Sequence, residues 1–108
     1  MLTLIHNNPV ELTNGELIVD RKFHVGMLNY CEALRAEVLS VNPLARPGER
    51  VMDPVSIPLS QLPYKVHGLG LDARGRPFEE DRRALDALIA RSALVVGYGY
   101  DTTQMTRR

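Results

Sequence analysis

The sequence of 108 residues predicts a mixed α/β chain built on a parallel sheet. Three observations predict it. The run Leu2–Ile5 lacks strict alternation, as expected of a short strand covered on both faces, and Ala93–Val96 reads as a further core strand. A strongly periodic helix lies between Ile18-Val19 and Val38–Val41, giving a strand, helix, strand unit that would lay the helix across a parallel pair. A second, charged helix precedes Ala93–Val96, so helices and strands alternate along the chain.

Leu2–Ile5 is the first core strand. His6, Asn7, Asn8 and Pro9 end it and would stand at its carboxyl end, where an α/β crevice forms; the same residue types also simply stop strands. From Glu11 to Val19 the chain reads as a β-ribbon, because Asn14-Gly15 between two β-prone arms is the signature of a type I′ turn. Gly15 stands alone, so neither G-x-G-x-x-G nor a Walker loop is present there and no phosphate cradle is assigned. In the central helix Phe23, Met27, Tyr30, Cys31 and Leu34 form one apolar stripe, with Arg21, Lys22, Asn29, Glu32 and Arg35 on the wet side. Asp20 is placed to cap its first turn, and the helix N-terminus points at the carboxyl edge of the sheet.

The second core strand is read as Glu37 to Val41, stopped by Asn42-Pro43. Five prolines between Pro43 and Pro63 stiffen the next connection, within which Val51, Val55 and Ile57 suit an edge strand. Tyr64 to Leu69 is the third core strand and carries His67, whose default reading is a packed, hydrogen-bonded imidazole. Asp72–Pro77 is a polar turn, with Pro77 suited to the first position of a helix. Leu85, Leu88 and Ile89 form the apolar face of that helix, and its acids precede its bases as the helix dipole prefers. After the fourth strand, Gly97-Tyr98-Gly99-Tyr100 would let backbone approach a ligand and offer flat rings for stacking; a flexible turn is the alternative. Asp101 with Gln104 three residues on resembles a capping box and would announce a third helix, so the sequence reads as the opening section of a larger doubly wound domain.

Composition narrows the function classes. Residues 1–108 fit one domain, and 13 basic against 13 acidic side chains give no electrostatic argument for nucleic acid or an anionic membrane. No apolar run approaches the roughly 20 residues of a membrane span. The lone Cys31 has no partner for an intramolecular disulfide, which suits a cytoplasmic location, and no metal-ligand spacing is present.

Right-handed crossovers permit the strand order 3-2-1-4, a Rossmann-like partial doubly wound parallel sheet with a small β-hairpin insertion after the first strand. His6, Asn7, Gly97, Tyr98 and Tyr100 would then line one crevice, with Arg21 and Lys22 adding charge from the helix entrance. The runs V-D-R-K-F-H-V-G-M-L-N-Y from Val19 to Tyr30, V-N-P at Val41–Pro43, L-P-Y at Leu62–Tyr64 and the strand at Leu94–Gly97 resemble the start of family-4-like glycosyltransferases. That resemblance implies the GT-B architecture, two Rossmann-like domains facing a cleft, with the N-terminal domain receiving the sugar acceptor and the C-terminal domain holding the nucleotide-sugar. This chain would be the acceptor side and, alone, inactive; the nucleotide-sugar is a substrate, and no resident cofactor is implied. The Asn14-Gly15 hairpin stands where commoner members carry a glycine-rich first loop. The expected partners are the sugar acceptor, the nucleotide-sugar, and either a missing C-terminal domain or a second copy through self-association. A non-catalytic α/β binding or interaction module is the alternative from another class.

Overall fold

The computed structural model describes residues 1–97. Strands β1 (Leu2–Ile5), β2 (Glu11–Thr13) and β3 (Glu16–Asp20) lead into helix α1 (Arg21–Leu34). They are followed by β4 (Val38–Pro43), β5 (Pro54–Pro58), β6 (Lys65–Leu69), helix α2 (Glu79–Arg91) and β7 (Leu94–Gly97). Four strands form a parallel sheet in the order β6-β4-β1-β7, which is the expected 3-2-1-4 order of core strands. The remaining three form a small antiparallel sheet, β2-β3-β5.

Alternation along the strands explains the two cores. Leu4 and Val38 face a cluster with Met27 of α1 and with Val10, Leu17, Val19 and Tyr64. Ile5, Leu39 and Val41 point the other way, onto Leu69 and Leu85, with Leu88 and Ile89 of α2 beside them. The helices therefore cover opposite faces, and the small sheet shares the α1 side.

The β2–β3 turn follows its sequence signature. Thr13 pairs with Glu16 across a two-residue loop, and both Asn14 (φ 51°) and Gly15 (φ 75°) occupy the left-handed region that a type I′ turn requires.

Five expectations are corrected. Ile18 and Val19 do not start a parallel strand, helix, strand unit: the turn folds β3 onto β2, β5 takes its other edge, and α1 instead carries the chain into the large sheet at β4. The α1 stripe is narrower than its periodicity implies, because Met27 is buried whereas Tyr30 and Leu34 are 39% and 47% exposed. Tyr30 stands on the flank beside Gly26, and Leu34 ends the helix just before left-handed Arg35 (φ 48°) turns the chain away. Asn42-Pro43 does not stop β4. The last β1–β4 rung is Ile5 with Val41, so the donor that Pro43 lacks has no rung to serve, and its carbonyl still accepts from Val10 N–H. Finally, α2 begins at Glu79 rather than Pro77, which is bridged to Leu71 across a turn held by Asp72; Val51, likewise, is buried in the loop before β5.

Candidate functional site

β1 ends between β4 and β7, with Ile5 opposite both Val41 and Gly97. The connections reaching these two neighbours cover opposite faces, so the carboxyl end of β1 is the point where the sheet's winding reverses and a crevice opens. His6 is the next residue. Its N–H donates to the Val41 carbonyl at 2.9 Å, and its ring packs edge-on against Phe23 of α1, with centroids 4.7 Å apart and planes at 88°.

His6 is only 8% exposed. Removing solvent from the imidazolium depresses its pKa from 6.5 to about 4, so the ring is neutral at neutral pH. Around it lies a cavity of about 160 Å³ lined by His6, Lys22, Phe23, Gly26, Met27 and Tyr30. Lys22, Gly26 and Tyr30 recur at helical spacing on one flank of α1, with glycine leaving room between two longer side chains.

The first turn of α1 divides its charges. The Asp20 carboxylate accepts from Lys22 N–H at 3.2 Å, the expected cap, while the Lys22 side chain reaches the cavity wall. Arg21 is held elsewhere: its Nε is 3.4 Å from Asp53 Oδ2 and its N–H donates to the Asp53 carbonyl. Asn7 is exposed at the lip, and Gly97 stands level with Ile5 on β7. The structure thus brings together His6 and Lys22 and sets Asn7 and Gly97 at the same sheet edge. Arg21 is engaged with the loop before β5, and Tyr98, Tyr100 and the third helix expected from Asp101 and Gln104 lie outside the described residues.

Sequence reasoning missed two sets of residues. Phe23, Gly26 and Tyr30 follow helical spacing, but apolar periodicity by itself marks a packing stripe and not a cavity wall. Asn42 has the residue type of a strand stop, yet it is fully buried; its Oδ1 accepts from Ser40 Oγ at 2.6 Å, and its Nδ2 donates to the Asn8 carbonyl at 3.1 Å. This pair fixes the loop that follows His6 against the central strand. Beside the same loop, Asn8, Pro9, Asp20 and residues 49–52 line a second cavity of about 270 Å³. Another cavity, about 510 Å³, lies between the small sheet and the segment 49–51, and His6 is not among its lining residues.

Chemically, a neutral imidazole, an ammonium group, a phenol and a phenyl face suit a small polar ring that offers hydroxyls on its edge and an apolar face. An imidazole with a pKa of about 4 is a weak base at neutral pH, so His6 is suited to hydrogen bonding rather than proton abstraction. Among the described residues, no group of three or more His, Cys, Asp or Glu side chains is arranged to hold a metal ion, and no helix is long and apolar enough to cross a membrane. Comparison of the chain with protein-family models, with curated proteins and with solved structures finds no match.

Proposed function

We propose that this chain is the acceptor-side part of a glycosyltransferase: a Rossmann-like domain whose sheet edge receives a sugar hydroxyl compound, while a second domain holds the nucleotide-sugar. The observation that carries the reading is the parallel pairing of β1 with both β4 and β7, which puts His6, Asn7 and Gly97 at one reversal of winding beside the Lys22 and Tyr30 cavity. The motif resemblance at Val19–Tyr30 supports it, since Lys22, Phe23, Gly26 and Tyr30 of that run are cavity residues. In this reading the rings of Phe23 and Tyr30 pack on the apolar face of the acceptor. The neutral His6 imidazole and Lys22 take its hydroxyls.

One observation favours the second reading, a binding module without catalysis: the titratable group deepest in the crevice is too weak a base to activate a hydroxyl at neutral pH.

Titration of the isotope-labelled chain with neutral mono- and oligosaccharides, and separately with nucleotide-sugars, tests both. Amide shifts at Asn7, Lys22, Gly26 and Tyr30 with a neutral sugar are expected, and Lys22→Ala should weaken that binding by about 3- to 10-fold, the worth of one hydrogen bond. Absence of shifts at these residues with every sugar would refute acceptor binding. Nucleotide release from a nucleotide-sugar by the polypeptide completed with its downstream coding sequence separates transferase from module.

A further inference from the structure

We propose that the outer edge of β6 pairs with β6 of a second copy of this chain, the two strands running antiparallel about a two-fold axis at His67. This inference concerns a surface apart from the His6 crevice and does not depend on the transferase reading.

β6 is the terminal strand of the large sheet and pairs only with β4 among the described residues. The Leu69 carbonyl accepts from Leu44 N–H at 2.8 Å, so Leu69, and by alternation His67 and Lys65, direct their main-chain groups inward. Val66 and Gly68 direct theirs outward. The edge therefore presents two donors and two acceptors placed symmetrically about His67. A two-fold axis there sets Val66 opposite Gly68 of the second copy and Gly68 opposite Val66, closing four main-chain hydrogen bonds with a single residue repeated on each side.

The side chains fit the same register. A groove of about 390 Å³ runs along this edge, lined by Leu39, Leu59, Leu62, His67 and Leu88 among others, and Leu59 is 43% exposed. His67 Nε2 is buried there without a hydrogen-bond partner among the described residues. In the paired state the two His67 residues are a directly opposed, non-hydrogen-bonded pair, with Cα atoms about 4.5 Å apart. A neutral imidazole has one donor and one acceptor nitrogen, so two of them can satisfy each other.

Both edges of the small sheet are poorly suited to pairing. The small sheet ends in β5, which carries Pro54 and Pro58, and in β2, a fully exposed strand of three residues. Proline, shortness and exposed charge are the usual means of blocking edge pairing. β6 has five residues and no proline, and its one charge, Lys65, is drawn aside by Glu37 at 2.6 Å. A formal net charge of zero sets no repulsion between two copies.

Sedimentation equilibrium and register-specific cross-linking test the proposal. At micromolar to millimolar concentration the wild-type chain should show twice the mass of one chain. In a Cys31→Ser background, His67→Cys should oxidise to a covalent dimer under mild copper-phenanthroline treatment, because opposed non-hydrogen-bonded residues meet disulfide geometry. Lys65→Cys, opposite Leu69 of the second copy, should cross-link at least tenfold more slowly. Val66→Pro removes only an outward donor, and circular dichroism will report whether it stays folded; the folded variant should lose the dimer. A wild-type monomer throughout the range, equal cross-linking of both cysteine variants, or a folded Val66→Pro dimer would each overturn the assignment.

Discussion

Lowering the pH should destabilise the fold through His6, because burial beside Phe23 holds its imidazole neutral down to about 4 whereas the unfolded chain titrates near 6.5. Between these values the unfolded state binds a proton that the folded state refuses, so stability falls as pH falls. The contribution is intact above 6.5 and is lost progressively toward 4. At about 1.4 kcal/mol per pH unit, the full loss is about 3 kcal/mol, and roughly 2 of this should be gone by about pH 4.5. Stopping there keeps the measurement above most of the range in which Glu37 and Asp72 titrate, whose carboxyls are held low by Lys65 and by the Arg76 and Arg74 amides respectively. His24 is also lowered by burial and titrates in the same direction, so it needs its own control. Urea unfolding of wild type, His6→Gln and His24→Gln at several pH values from about 7 to 4.5 isolates the His6 share. Wild type should lose about 2 kcal/mol more than His6→Gln over that range. Equal pH slopes for wild type and His6→Gln, or an imidazole that titrates above 6 by NMR, would refute the reasoning.

Two further changes probe the frame around the site. Asn42→Ala leaves the buried Ser40 hydroxyl and the Asn8 carbonyl without the amide that joins them; it should cost about 2–4 kcal/mol in chemical denaturation and increase amide exchange at Asn7 and Asn8. Gly15→Ala meets no neighbouring atom within 4 Å, so its effect isolates the positive φ: stability should fall by about 1 kcal/mol while the far-ultraviolet spectrum is kept, and an unchanged melting temperature would contradict the I′ turn.

The large sheet was legible because parallel strands and right-handed crossovers leave few orders to choose from, and Leu2–Ile5 and Leu94–Val96 lack strict polar alternation. Asn14-Gly15 likewise announced its turn. What the ribbon would pair with was not legible: β5 is bracketed by prolines, and its partner β3 lies some forty positions away, a separation no local pattern encodes. At the site, sequence supplied His6 and Lys22 from their place at a strand end and a helix start. It could not show that Asp53 draws Arg21 aside, because that contact joins α1 to a loop with its own left-handed residue, Asp53 at φ 44°. Nor could it show that Tyr30 belongs to a cavity wall, since apolar periodicity marks a stripe without saying how much of it another element covers.

Because β1 is hydrogen-bonded to β7 as well as β4, the first strand made by the ribosome cannot complete its pairing until nearly all of residues 1–97 have been synthesised. Such long-range closure slows folding. Until then Leu4 and Ile5 have one open flank, and the nascent chain carries an apolar, strand-forming segment that invites capture by chaperones. Biogenesis of this protein should accordingly be more sensitive to translation pauses before Leu94 than after Gly97.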